Sequence, residues 1–540
     1  MLRPAASYAD LVNGFSWNLP ERFNIGVAIS STWAQQAPDR VAMIEHMDDG
    51  PARHTTFAQL DAMANRIANL LASCGIRAGD RVALLLPQCR ETAAAHVAIY
   101  KLGAIAVPLA MLFGVEALQY RLQNSGARAL LISTASHGNV AEVRPALSAL
   151  EHIFCIDGAL DFAPHLHDAC RPMAEQFEAR DTSLDDPCLM IYTSGTTGPP
   201  KGALHAHRVL LGHLPGVQFA HEFLPQPGDL MWTPSDWAWA GGLLNVLLPS
   251  LYFGVPVLAY RFRKFDPAFA WDLLAQYGVR NVFVPPTALK LMRASTPQDV
   301  GRLNLRTLFS GGEAVGQALQ EWAEAKLGMR INEVYGQTEC NLVLESCNAL
   351  GVWKSGAIGK PVPGHTVAIV DDLGQPLPDG QAGNIAVQRP DPVMFLEYWG
   401  KPEATRDKFA GDWLLTGDQG YRDSEGYFHF VGRDDDVITS SGYRIGPGEI
   451  EDCLSRHPAV KLAAAVGVPD PVRTEIVKAF IVLNPGYEPS PALEDGIREH
   501  VRNRLSAHEY PRVFEFRDEL PLTTTGKVIR RLLRDGVSSK

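Results

Sequence analysis

A chain of 540 residues is too long for one hydrophobic core and requires at least two domains. Its 46% hydrophobic and 20% charged residues are those of an ordinary globular protein. A net charge of −11 argues against nucleic acid or an acidic membrane surface as the main partner, so any polyanionic ligand must be met by local basic residues. Eight cysteines are scattered without a Cys-x-x-Cys pair, which predicts reduced thiols in a cytoplasm and no zinc site. No uninterrupted run of about 18 apolar residues occurs, so no integral membrane segment is expected, and Met1-Leu2-Arg3-Pro4 lacks the core of a signal peptide.

Residues 1–55 show little periodicity. From Phe57 the apolar positions Leu60, Met63, Ala64, Ile67, Leu70 and Leu71 recur at helical spacing. Residues 81–86 form an apolar run ended by Pro87 and predict a strand. Helices over 91–101 and 115–124 then alternate with strands over 104–109 and 129–132, which means parallel sheet with helices on its faces. Ligands of such sheets sit beyond the carboxyl ends of the strands.

Cys188-Leu189-Met190-Ile191 reads as a buried strand, and Thr193 to Gly202 follows it. Three glycines, one serine, three threonines and Lys201 within ten residues cannot build a core. Small residues let backbone N–H groups approach an anion, hydroxyls add donors, and the lysine adds positive charge, so the stretch predicts a polyphosphate grip. It is not a Walker A loop, because Pro200 precedes Lys201 and Gly202 follows it. His205-Ala206-His207 lacks a third ligand of matching spacing and reads as the start of a helix rather than a metal pair. Trp232, Trp237 and Trp239 stand beside Ala240, Gly241 and Gly242. Core packing is the plain reading, and a rigid apolar pocket wall is the one preferred for Trp239.

Residues 282–284 and 307–312 repeat the strand theme. Gly311-Gly312-Glu313 is, on its own, equally a strand-to-helix turn or a bed for a flat base. In Tyr335-Gly336-Gln337-Thr338-Glu339, a carboxylate beside a polyphosphate needs a cation between them, and Mg²⁺ prefers oxygen ligands. Residues 365–432 are rich in turn pairs around short alternating strands and predict an antiparallel β module that ends near Thr416-Gly417-Asp418. Arg433-Asp434-Asp435-Asp436 suits an exposed linker. The last hundred residues predict a small α+β domain, with Pro521 to Lys527 a loop between strand and helix.

These stretches, in this order and over most of the chain, resemble the signatures of the adenylate-forming (AMP-binding) superfamily, most closely the medium-chain acyl-CoA synthetases and acetyl-CoA synthetase-like enzymes. The resemblance implies an α/β fold with a large N-terminal domain of doubly wound sheets plus a β module over 1–432, a hinge at 433–435, and a small mobile C-terminal α+β domain over 436–540. It implies ATP, Mg²⁺ and CoA as cofactors and a small carboxylic acid as substrate. Thr193, Ser194, Gly195, Thr196, Thr197, Gly198 and Lys201 would hold the phosphates. Gly311, Gly312 and Glu313 would border the adenine and Tyr335 would stack on it, Gly336 and Gln337 would belong to the same nucleotide site, and Asp418 and Arg433 would meet the ribose, Arg433 also a phosphate. Thr338 would meet the α-phosphate, Glu339 the metal, and Lys527 the charge that builds as pyrophosphate leaves. Asp435 would be the pivot, with Gly442 and Arg444 on the CoA side.

Trp239, Ala240, Gly241, Gly311 and Gly336 would shape the acyl pocket. Acetyl- and propionyl-CoA synthetases carry tryptophan at the position of Gly336, and four small residues here predict room for a medium-chain or short branched acid. An aryl-CoA (benzoate-type) ligase, or an adenylation enzyme loading a carrier-protein thiol, are the alternatives; no carrier domain follows Lys540. The reading allows a homodimer and a lysine acyltransferase or deacylase acting on Lys527 as partners.

Overall fold

The apolar runs of the first four hundred residues gather into two large sheets around shared helices. The computed structural model describes all residues except 194–198, 434–435, 441–442, 471–473, 503, 506–509, 524–526 and 539–540, and within its elements the side chains at 439, 443, 444, 449 and 535–538. One sheet of seven strands runs, in space, Glu397–Tyr398, Lys201–Ala206, Pro187–Thr193, Ile105–Pro108, Arg81–Leu85, Ala129–Ile132 and His152–Cys155. From Pro187–Thr193 onward its strands are parallel, and the first two are antiparallel additions. The second sheet has nine strands. Its parallel centre is Ile331–Tyr335, Thr307–Gly311, Asn281–Phe283, Met231–Trp232, Val257–Ala259 and Val41–Glu45, with antiparallel strands at both edges.

Helix Phe57–Ser73 starts at a capping box, Thr56 with Gln59, and buries Phe57, Leu60, Ala64, Ile67 and Leu71. Helix Arg90–Leu102 lies beside it and stops at Gly103, whose φ of +68° suits glycine. These helices share one core with Leu84 and Leu189 of the seven-stranded sheet and Met43, Val257 and Phe309 of the nine-stranded sheet. Each sheet is therefore covered, as parallel sheets require.

Strands Val367–Val370, Gly383–Gln388, Phe409–Ala410, Trp413–Arg422 and Phe428–Arg433 form the antiparallel module that the turn pairs predict. The smaller C-terminal domain is a mixed sheet of Ile438–Ser440, Tyr443–Ile445, Val460–Asp470, Thr474–Leu483 and Val513–Phe516 with helices Pro447–Ser455, Pro491–Arg502 and Arg530–Ser538. The fold is thus α/β with a large N-terminal and a small C-terminal part, as expected. Among the described residues no helix is long and apolar enough to cross a membrane.

Two local readings change. The opening segment holds strands Val41–Glu45 and Arg53–Thr56; Met43 pairs with Val257, a partner too far along the chain to leave a local periodic signal. Glu397–Tyr398 falls within the predicted β module but leaves it to pair with Ala203 and Leu204 of the seven-stranded sheet.

Candidate active site

The residues singled out by motif come from separate elements and meet at the carboxyl ends of strands. Thr193 ends strand Pro187–Thr193, and Lys201 opens the returning strand directly opposite it. Ser194, Gly195, Thr196, Thr197 and Gly198 lie outside the described residues. The return is anchored on both sides: Tyr120 donates its hydroxyl to Pro200 O (2.9 Å), and Trp399 N–H donates to Gly202 O (2.8 Å). Lys201 Nζ lies 5.0 Å from the centre of the Tyr398 ring, a cation–π distance.

Strand Ile331–Tyr335 delivers the next group. Beyond it, Gln337 and Cys340 exchange backbone hydrogen bonds (2.9 and 3.2 Å), a tight turn that carries Thr338 and Glu339. Glu339 is buried, at 7% exposure. A buried carboxylate needs partners, and Glu339 Oε1 accepts a short hydrogen bond from the Tyr398 hydroxyl while Phe395 N–H donates to its carbonyl (2.9 Å). An acidic oxygen fixed in this way suits a hard divalent cation that keeps most of its other ligands as water or phosphate oxygen. The chemistry of the Glu339 carboxylate therefore fits Mg²⁺.

Asp418 sits in strand Trp413–Arg422, opposite Arg433 across the ladder, and is 6% exposed. Its Oδ2 accepts from the Tyr335 hydroxyl (2.7 Å) and from Gln337 Nε2 (3.0 Å). Gln337 also donates to Thr416 O (2.7 Å), and Lys408 Nζ bridges Thr416 O (3.0 Å) and Gln337 Oε1 (3.3 Å). Tyr335 is thus tied at its hydroxyl, which fixes the plane of its ring.

Gly311 ends strand Thr307–Gly311 and Gly312 follows it, and the Glu313 carboxylate accepts from Thr287 Oγ1 (2.9 and 3.2 Å). Lys527 reaches this edge from the small domain. Its loop closes on itself, with Thr523 N–H donating to Lys527 O (2.6 Å) and Lys527 N–H to Thr523 Oγ1 (3.0 Å). A Cβ added to Gly312 would lie 3.7 Å from Lys527 Nζ. Enclosure by surrounding protein lowers the pKa of this ammonium, while the carboxylates of Glu313 and Asp418 oppose that shift and Arg433 and Arg530 add to it. The residue remains open to solvent along the cleft. Among the described residues, Lys201 and Glu339 thus share Tyr398, and Lys527 lies within electrostatic reach of Glu313 and Asp418.

The acid side departs from the sequence reading. Small residues at 241, 311 and 336 do not simply leave space. A Cβ at Gly241 would meet Phe283 Cε1 at 2.7 Å, one at Gly311 would meet Val334 O at 2.2 Å, and one at Gly336 would meet Leu342 N at 2.5 Å. Gly311 and Gly336 are small because backbone passes across them, and the space beside Gly241 is filled by the Phe283 ring. Gly311→Ala is therefore expected to lower stability by about 1–3 kcal/mol, the usual cost of forcing extra atoms into packed protein, read as a lower denaturant midpoint. Ala240 heads the short helix Ala240–Gly242, and Trp239, half-buried before it, meets Phe113 edge-on with ring centres 5.8 Å apart. Trp237 is core, at 2% exposure.

His205-Ala206-His207, read as the start of a helix, instead spans a strand end and a helix entry. His205 is in strand Lys201–Ala206, His207 precedes helix Arg208–Ala220, and burial pushes their rings down to about 3 and about 4. Among the described residues no cluster of three metal-ligating side chains exists. Asp435 and Gly442 lie outside the described residues. Arg444 belongs to strand Tyr443–Ile445, and its side chain is also outside them. Sequence reasoning missed Tyr398, Lys408, Thr287 and Phe283. Each is a single residue with no local motif, and only Tyr398, in the aromatic pair Tyr398-Trp399 before Gly400, left a trace in composition.

Comparison with known proteins places the chain in a family. The family model of the AMP-binding enzymes matches residues 30–399, and that of the AMP-binding enzyme C-terminal domain matches residues 449–527. The chain is 34% identical to the mitochondrial acyl-coenzyme A synthetase ACSM2 of Rattus norvegicus, over 96% of this chain and 92% of that one. It is 34% identical to the acetyl-coenzyme A synthetase of Bacillus subtilis (strain 168), over 89% and 84%. Among solved structures it is similar to the anthranilate CoA ligase AuaEII in complex with anthranoyl-AMP, with a TM-score of 0.88, 30% identity, and 96% of this chain and 98% of that one covered. With more than half of its length matched by the family model and relatives above 30% identity along nearly the whole chain, the protein belongs to the AMP-binding enzymes.

Proposed function

We infer that the protein is an AMP-forming acyl-CoA synthetase that converts a medium-chain or short branched carboxylic acid, ATP and CoA to acyl-CoA, AMP and pyrophosphate. The observation that carries this reading is the placement of Lys527 beside Gly312, within electrostatic reach of Glu313, Asp418 and Arg433.

In the first half-reaction a carboxylate oxygen attacks the α-phosphorus of ATP, the bond to the β-phosphate oxygen breaks, and pyrophosphate leaves. Positioning and charge stabilisation are what such a transfer asks of the protein. Lys201 and the loop before it hold the phosphates, Asp418 offers Oδ1 to the ribose while Oδ2 is kept by Tyr335 and Gln337, and Thr338 and Lys527 meet the α-phosphate. Glu339 would hold Mg²⁺, which when bound would supply positive charge against the phosphates. In the second half-reaction the CoA sulfur attacks the acyl carbonyl, AMP leaves with the carboxylate oxygen it gained, and the thiol proton passes to solvent. Residues 1–432 bind ATP and acid. Residues 436–540 carry Lys527 and turn about 433–435 to admit CoA, with Gly442 and Arg444 on the thiol's path. Acylation of Lys527 would remove its charge, so an acyltransferase–deacylase pair acting on this exposed side chain would switch the first step alone.

The acid lies against Trp239 and Ala240, and the Phe283 ring, which fills the space beside Gly241, sets the depth of the pocket. No side chain at 336 fits without shifting the 341–342 backbone, so that position does not close the pocket. Phe283→Ala is expected to move preference toward longer acids by about 10- to 100-fold in relative kcat/KM, the range that a few methylenes command in an apolar pocket. An aryl acid is the second reading, favoured by the likeness to the anthranilate CoA ligase. AMP and thioester formation with acetate, isobutyrate, hexanoate, octanoate and benzoate, with and without CoA, separates the readings. A maximum at hexanoate or octanoate supports the first, one at benzoate the second, and pyrophosphate release without thioester points to a carrier-protein thiol.

A further inference from the structure

We propose that Asp452 is a positioning residue for the first half-reaction, a latch that seats the small domain with Lys527 in the nucleotide cleft by resting its carboxylate on Gly316 and the Ala318 amide. The proposal rests on the acyl-adenylate reading above.

The loop that follows strand Thr307–Gly311 receives the small domain at two points. Gly312 faces Lys527 Nζ, and four residues on, Gly316 faces Asp452. The contact at Gly316 is close: a Cβ there would lie 2.4 Å from Asp452 Oδ1 and 3.0 Å from its Cγ. Gly316 has φ of +77°, a conformation glycine adopts without strain. Asp452 Oδ1 accepts from Ala318 N–H (3.3 Å), a hydrogen bond spanning 134 residues. Asp452 Oδ2 accepts from Arg456 Nη2 (2.9 Å) on the same helix, which fixes the carboxylate plane. Arg293, at the end of helix Pro286–Ala294, attracts the same carboxylate from the large domain.

Latch and lysine move as one body. Helix Pro447–Ser455 buries Ile450, Cys453 and Leu454 in the core of the small domain. Glu451, the neighbour of Asp452, is ion-paired with Arg530 at 2.8 Å, and Arg530 stands three residues beyond Lys527. The carboxylate therefore cannot stay on Gly316 when Lys527 withdraws. Its hydrogen bond belongs to the pose of the first half-reaction and must break before the second.

The test measures the half-reactions separately on Asp452→Ala, Asp452→Asn and Gly316→Ala. The first is acid-dependent pyrophosphate release with MgATP, using the acid of highest rate in the panel above. The second is thioester formation from the matching preformed acyl-adenylate and CoA. Asp452→Ala is expected to slow the first by roughly tenfold, the share of one charge-assisted hydrogen bond, and to leave the second unchanged or faster. Asp452→Asn keeps an acceptor oxygen and should recover most of the rate. Gly316→Ala should resemble Asp452→Ala, and if it fails to fold, the Asp452 pair decides. Equal loss in both half-reactions, or no loss in the first, overturns the latch. A parent enzyme that releases no pyrophosphate with any acid of the panel overturns the acyl-adenylate reading, and the latch with it.

Discussion

Replacing Lys527 by alanine lowers acid-dependent pyrophosphate release by about 10²- to 10³-fold, the usual loss when one preorganised group is removed from developing charge, and leaves thioester formation from preformed acyl-adenylate and CoA unchanged. The asymmetry follows from placement. Lys527 stands at Gly312 and feels Glu313 and Asp418, the residues proposed to border the nucleotide, and it reaches them from the domain proposed to turn away before CoA enters. Lys527→Gln should match Lys527→Ala, because what matters is the charge. Lys527→Arg should recover part of the rate, since a guanidinium keeps the charge but not the reach or the single-point geometry. Rapid-quench assays of the two half-reactions check this. A Lys527→Ala enzyme that forms acyl-adenylate at the parent rate removes the lysine from the mechanism.

Replacing Asp418 by alanine has the second largest effect and a different signature. Asp418 is 6% exposed, and its Oδ2 accepts from both Tyr335 and Gln337. Alanine removes the acceptor for the ribose and leaves two half-buried donors unpaired, at about 1–3 kcal/mol for each. We expect kcat/KM for ATP to fall by about 10²- to 10³-fold on that scale, most of it in KM, with a lower melting temperature. Tyr335→Phe loses one donor and keeps the acceptor, so it should cost only about 0.5–1.5 kcal/mol, a neutral hydrogen bond. The double variant should cost less than the sum of the two singles, because both act through one oxygen. Steady-state kinetics in ATP with thermal melts of all three checks the ordering. An unchanged KM for ATP in Asp418→Ala takes the aspartate off the nucleotide.

What could be read from the sequence divides along the distance between cause and partner. Strands such as Arg81–Leu85 and Ala129–Ile132 show as apolar runs because both faces of a parallel sheet are covered. The stretches at Thr193, Tyr335 to Glu339 and Lys527 stood out as local motifs, and the roles given to them came from the family resemblance those motifs carry. Tyr398 was not, because its bond to Glu339 exists only once strand Glu397–Tyr398 pairs with Ala203 and Leu204. Val41–Glu45 was missed for the same reason, its partner being Val257–Ala259. The acyl side failed differently. A glycine in a sequence shows that a side chain is missing and says nothing of what takes its place; Phe283 does so at Gly241, and backbone does at Gly311 and Gly336. Asp452 belongs to no local motif, and only the fold sets it on Gly316.

The central claim is that the acid is activated as an adenylate, and an oxygen label tests it most directly. The acid is supplied with ¹⁸O in both carboxylate oxygens, together with MgATP and CoA, and the products are weighed by mass spectrometry. The account predicts one ¹⁸O in each AMP and one in each acyl-CoA, with none in pyrophosphate, because the bridging oxygen leaves with AMP when sulfur attacks the carbonyl. Label in pyrophosphate or inorganic phosphate, or AMP that carries none, would contradict it.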